Sequence, residues 1–197
     1  AEKADKTGGT IVQDNPTPTA DPELLAYFEG MIHTMEKDGD RRLGVVLAAL
    51  VEAYGGPKHA HMSQSRLVTR SNMVVRALAY QGKKRCKRRP GFTYLIPVQG
   101  VTGFPYGLCL WRKWNECCKA KRSVIHSIVL DFTTGITIPI STFNEVLHEL
   151  GSPMLQQPEA KINSHWFHSV HATLAGLRGA PWQERLPLGN WSGEHKA

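Results

Sequence analysis

The chain has 197 residues, 41% hydrophobic and 21% charged, with a formal net charge of +7 at neutral pH. That length builds one well-buried core and crowds a second, and no apolar run approaches the ~18 residues that a membrane-spanning helix needs. Six of the net positive charges come from one stretch, KKRCKRR (Lys83, Lys84, Arg85, Lys87, Arg88 and Arg89), which holds no acid. A local cationic knot attracts polyanions by counterion release and Coulomb steering, pointing to nucleic acid or an anionic surface. A solvated charge run or a nuclear-import signal is the competing reading.

Residues 1–20 are polar and rich in Pro and Thr, without the apolar stretch of a secretory signal, and are expected to form a flexible lead. The opening Ala fits a processed protein or an excised fragment. Residues 21–197 are expected to make a single domain. Asp21 and Pro22 suit a helix start, and Leu24, Phe28, Met31, Ile32 and Met35 recur at helical spacing before Gly39. Asp40 opens a second helix with Leu43, Val46, Leu47, Leu50 and Tyr54 on one face, stopped by Gly55-Gly56-Pro57. Its nearly continuous apolar run from Val45 to Val51 predicts a place deep in the core.

Ser63 to Leu67 could extend a helix, whereas Met73–Tyr80 and Phe92–Val98 read as strands. The cationic knot falls between those strands, so a hairpin presenting Lys83 to Arg89 is expected, a workable way to reach a phosphate backbone. Leu108 to Lys119 has a helical pattern with Leu108, Trp111 and Cys118 inward; β structure surrounds Thr133-Thr134-Gly135; a helix starts at Ser141 and runs to Leu150. Gln156 to Lys161 is a polar loop, and the last helices are Ser164 to Leu177 and Pro181 to Leu186. The expected fold class is α+β: mainly α with a small sheet or hairpin. No internal repeat is visible, which excludes solenoids and propellers.

Of the four cysteines (Cys86, Cys109, Cys117, Cys118), none makes a CxxC pair, so free thiols in a reducing compartment are the better reading. His165, His168 and His171 step along a helix at intervals of three, near one face, which could suit Zn²⁺. The nearest carboxylates, Glu159 and Glu184, fall outside that run, and no metal or other cofactor is expected. Lys58 to Met62, KHAHM, mimics the His-hydrophobe-His pair of rolling-circle endonucleases, but follows a helix stop instead of lying on a central strand. Trp111, Trp114, Trp166 and Trp182 are expected as core or interface aromatics.

The order of two core helices, a basic hairpin, further helices, a His-rich helix and a Leu-Gly-x-Trp turn resembles the catalytic domain of the tyrosine recombinases, the phage-integrase family with its retroelement-borne relatives. SHWFHSVHATLAGLRGAPWQERLPLGNWS is similar to the family's HxxR segment and its later His/Trp position, which puts His165 at the box histidine and Trp191 at the later site. LVEAYGGPKHAH resembles the segment that carries the first arginine, with Lys58 in its place, and AYQGKKRCKRRPGFTYLIP resembles the hairpin of the catalytic lysine, with Lys83 the best match and Lys84 next. The likeness covers about Asp40 to Ala197.

The resemblance implies attack of a tyrosine on a DNA phosphodiester, with arginine forks and a His/Trp pair on the non-bridging oxygens and a lysine protonating the leaving oxygen. Two departures weaken that chemistry. Lys58 keeps a charge but loses the bidentate fork, and His168 stands where the second arginine belongs, with a reference pKa of ~6.5. Tyr27, Tyr54, Tyr80, Tyr94 and Tyr106 all fall in the wrong part of the pattern for the nucleophile, so the chain is expected to be truncated before it and inactive by itself. The resemblance therefore implies a DNA-binding, integrase-like domain for recombination or integration by strand breaking and rejoining. Its partners would be duplex DNA and a second copy on that DNA, with no membrane, in an intracellular, reducing compartment such as the nucleus or nucleoid. The alternatives are a non-enzymatic nucleic-acid-binding or ribonucleoprotein subunit, and a metal-dependent hydrolase built on His59, His61 and the His165 helix.

Overall fold

A computed structural model of the chain describes residues 22–80, 91–155, 160–177, 179 and 181. The elements run α1 (Pro22–Asp38), α2 (Leu43–Ala53), α3 (His59–Met62), β1 (Ser65–Arg70), β2 (Val74–Ala79), β3 (Phe92–Pro97), α4 (Tyr106–Lys121), β4 (Leu130–Asp131), β5 (Ile136–Thr137), α5 (Ile140–Gly151) and α6 (Ser164–Leu177), with one 3-10 turn at Ser152–Met154. This is an α+β fold with helices as the larger part.

The run from Val45 to Val51 explains the architecture. A helix apolar on every side must be enclosed on every side, and every residue of α2 is buried. α1, α4, α5, α6 and β4 all pack around it. Gly44 marks the tightest approach: a Cβ there would stand 1.7 Å from the Leu130 carbonyl oxygen, so β4 lies directly on the helix backbone. α1 contributes Leu24, Leu25, Phe28, Ile32 and Met35 at helical spacing, and Phe28 meets Phe167 of α6 edge to face, with ring centroids 5.0 Å apart. Asp40 turns the chain from α1 into α2 by accepting the Arg42 N–H at 2.8 Å while its carboxylate holds the Arg42 guanidinium.

The three-stranded sheet is antiparallel in the order β1-β2-β3, and a second, two-residue ladder joins β4 to β5 around the Thr133–Gly135 turn. β2 and β3 pair from Val74↔Pro97 to Ala79↔Phe92, so the hairpin expected from the two strand-like runs is present. Its connection, residues 81–90, lies outside the described residues, as do residues 1–21, the loop 156–159 and the segment expected as a helix from Pro181 to Leu186, Pro181 apart.

Two expectations are corrected. Ser63 to Leu67 does not extend a helix: α3 stops at Met62 and the chain enters β1, where Ser65 and Leu67 are buried opposite Ala79 and Ala77. The Ser65 hydroxyl bonds the His61 carbonyl, which ends the helix, and the period-2 burial of Ser65 and Leu67 then decides for strand. In α4 the buried stripe is Tyr106, Cys109, Leu110, Trp114 and Cys117, and Leu108, Trp111 and Cys118 lie half-buried at its edge. The Trp114 indole donates to the Ser127 carbonyl at 2.9 Å, which fixes the rotation of the helix about its axis.

Candidate functional site

The site is built from the end of α2. Glu52, the one acid in that apolar helix, is fully buried, and its carboxyl is where three separate pieces of chain meet. The His59 N–H donates to Oε1. The Ser164 hydroxyl, in the first turn of α6, lies 2.9 Å from Oε1 and 2.8 Å from Oε2. A hydroxyl carries one proton, and burial raises the Glu52 pKa from 4.5 to about 8, so at neutral pH the acid holds a proton of its own and the pair can donate in both directions.

Around this joint the chain is fixed by backbone geometry. Gly55, at φ +92°, turns the chain away from α2, and a Cβ on it would stand 2.4 Å from Nδ1 of His171. Lys58 follows in an extended conformation at the N-cap of α3, with its side chain exposed, and lies close enough to Glu52 to act on it electrostatically. His59 is buried, stacked edge-on against Phe143, and its Nε2–H donates to the Ile138 carbonyl at 2.9 Å. Burial holds the imidazoles of His59 and His171 below their usual pKa.

α6 is anchored at its start by two asparagines. Asn144 of α5 accepts the Ser164 N–H at 2.9 Å, and Asn163 accepts the Trp166 N–H at 3.1 Å as an N-cap. Ser164, His168 and His171 then form the face turned to α2, while Trp166, Phe167 and Val170 enter the core.

The three histidines thus divide: His165 is exposed, His168 is buried at 3% exposure and His171 is half-buried. The reason is angular, since each step of three residues falls about 60° short of a full turn and carries the series from the solvent side into the α2 contact. Among the described residues no three His, Cys, Asp or Glu side chains gather as a metal site would require. The His59/His61 pair lies on the short helix α3, not on a strand, with His59 turned inward and the His61 ring 5.4 Å from that of Phe92.

That ring contact ties in the hairpin. The Tyr80 N–H donates to the Gln64 carbonyl at 3.0 Å and Ser65 pairs with Ala79, so the strand leading to the cationic connection leaves from beside α3. Tyr80 also meets His126 edge-on, with ring centroids 4.9 Å apart. Lys58, the first turn of α6 and the root of the 81–90 connection are therefore joined through Glu52 and α3. Lys83, Lys84, Arg85, Lys87, Arg88, Arg89 and Trp191 lie outside the described residues.

Tyr54, Tyr94 and Tyr106 are poor nucleophiles where they stand. Tyr54 donates its phenolic proton to Glu29, and burial pushes the phenols of Tyr54, Tyr94 and Tyr106 up from their usual pKa. Two open clefts, about 360 and 790 Å³, lie along α4, and neither is lined by Lys58, His165 or His168. Glu52, Ser164 and Asn144 were not singled out in the sequence. The available signal was one acid inside LGVVLAALVEA, where a charge has no apolar reason to be.

No protein-family model matches the chain, and no curated protein matches it. What the fold and site define is a class only: an α+β protein with one central buried helix. Among the described residues no helix is long and apolar enough to cross a membrane.

Proposed function

We propose that the chain is a tyrosine-recombinase-like DNA-binding domain, in which Lys58, Lys83, His165, His168 and Trp191 descend from a phosphodiester-binding site. The observation that carries the reading is the joint at Glu52, which holds the Lys58 turn against the first turn of the His-rich helix, next to a β-hairpin whose connection bears six cations. Glu52 and Ser164, 112 residues apart in the chain, meet at this joint, and that contact supports the reading.

Lys58 supplies one cation and His165 one ring donor at this surface, and the hairpin supplies sequence-independent phosphate contacts. With His168 buried and lysine replacing an arginine fork, the site favours holding a phosphate over stabilising a pentacoordinate one. Strand cleavage requires a tyrosine in the site, whereas Tyr94 and Tyr106 are buried and the half-buried Tyr54 donates its hydroxyl to Glu29.

The test is fluorescence anisotropy of a labelled duplex over a salt series. The slope of log K against log salt is expected to be steep and to flatten by about 0.9 for each lost phosphate contact when Lys83 to Arg89 are replaced by Gln and Ser. Binding that persists with an unchanged slope overturns the reading. Preference for single-stranded RNA over duplex DNA would favour the ribonucleoprotein alternative instead.

A further inference from the structure

The three-stranded sheet has one covered face and one open face. Ser65, Leu67, Val75, Ala77, Ala79, Tyr94 and Ile96 point into the protein. On the other side stand Arg66, Arg76, Leu78, Thr93 and Leu95, set by the register Arg66↔Leu78↔Thr93 and Arg76↔Leu95. Leu95 is 52% exposed, and Val68, at the irregularity between Leu67 and Thr69, is 41% exposed.

The charge on this face has one sign. SRLVTR and VVRALA carry arginine, and none of the three strands, FTYLIP included, carries an acid. Neither Arg66 nor Arg76 is among the ion pairs of the described residues, unlike Arg112 and Lys113, which meet Glu36, Arg41, which meets Asp131, and Arg42, which meets Asp40 and Glu149. Arg66 Nε is shielded from solvent and has no hydrogen-bond partner.

We propose that this open face is a second contact surface for duplex DNA, with Arg66 and Arg76 gripping the phosphate backbone beside the 81–90 connection. The inference rests on the DNA-binding reading above and extends it to residues that the resemblance does not supply. Diagonal neighbours on adjacent antiparallel strands lie about 7–8 Å apart, far enough for two long arginine side chains to reach separate phosphates of one backbone. Leu78 and Leu95 flank the two arginines, whose planar forks suit bidentate phosphate contacts. The strand that carries Arg76 ends at Ala79, four residues before Lys83 in the sequence.

The test uses the whole chain with Lys83 to Arg89 intact. In Arg66→Gln/Arg76→Gln the salt slope for a 30-base-pair duplex is expected to fall by roughly 2, and hydroxyl-radical protection is lost over one end of the footprint. Arg66→Lys/Arg76→Lys, which keeps both charges and guards against a folding artefact, is expected to restore the slope. Arg112→Gln, in α4 and already paired with Glu36, leaves it unchanged. If the double glutamine variant keeps the wild-type slope while neutralising Lys83 to Arg89 flattens it, the sheet surface is refuted and the DNA-binding reading stands. If the wild-type chain does not bind duplex at all, both fall, and competition by an acidic peptide or single-stranded RNA stronger than by duplex overturns the assigned occupant.

Discussion

Glu52→Gln is the substitution that interrogates the centre of this protein. A carboxyl whose pKa rises from 4.5 in the unfolded chain to about 8 in the fold binds its proton more tightly when folded. Its contribution is therefore fully present below pH 4.5 and is lost progressively as pH rises toward 8. At ~1.36 kcal/mol per pH unit the loss across that window is on the order of 5 kcal/mol, a large part of the 5–15 kcal/mol typical of a domain. Gln keeps the shape and an acceptor for the His59 N–H and the Ser164 hydroxyl but cannot ionise. His59 and His171 act in the opposite sense: their depressed pKa gives stability that is present above 6.5 and lost as pH falls, and it is common to both proteins. The quantity to measure is thus the difference in unfolding free energy between wild type and Glu52→Gln, from urea titrations at half-unit steps from pH 4.5 to 9. The difference is expected to move steadily in favour of the glutamine variant up to about pH 8 and then level off. A difference that stays flat from pH 5 to 8 refutes the burial argument.

Two further substitutions probe the packing that holds the site. Leu47→Ala, in the fully enclosed α2, is expected to cost about 2–5 kcal/mol in urea denaturation, because both transfer and cavity terms apply; a loss under 1 kcal/mol would show α2 to be less enclosed than it is here. Gly55→Ala adds left-handed strain of about 1–2 kcal/mol to the overlap with His171 Nδ1. Adding His171→Ala is expected to recover the overlap but not the strain, and a fully additive double mutant would refute that contact.

The elements most legible in the sequence were those where pattern and burial coincide. The uninterrupted run Val45–Val51 could only be an enclosed helix, and the strands bracketing Lys83–Arg89 carried β-type runs with turn residues between them. α6 was readable end to end, from Ser164 to Leu177. What the sequence concealed was set by contacts across the fold. The β1 strand reads ambiguously as SRLVTR, and only its partner Val74–Ala79 decides its state. The facing of α4 follows from the Trp114–Ser127 hydrogen bond, and no periodicity announces that bond. The joint at Glu52 needs His59 and Ser164, 7 and 112 residues away, so no local window contains it.

The same joint makes a prediction about DNA that the fold alone does not. A protonated Glu52 leaves the charge of Lys58 uncancelled at the surface above it, whereas an ionised Glu52 places a buried negative charge beneath the proposed phosphate site, where the low dielectric screens it weakly. Duplex affinity at fixed salt is therefore expected to drop between pH 7 and 9. Any other group that titrates across that range does so equally in Glu52→Gln. The ratio of wild-type to Glu52→Gln affinity isolates the buried acid, and it should fall across the interval while Glu52→Gln alone shows the shallower dependence. Parallel pH curves for the two proteins would separate Glu52 from the phosphate site and leave it a packing residue between α2, α3 and α6.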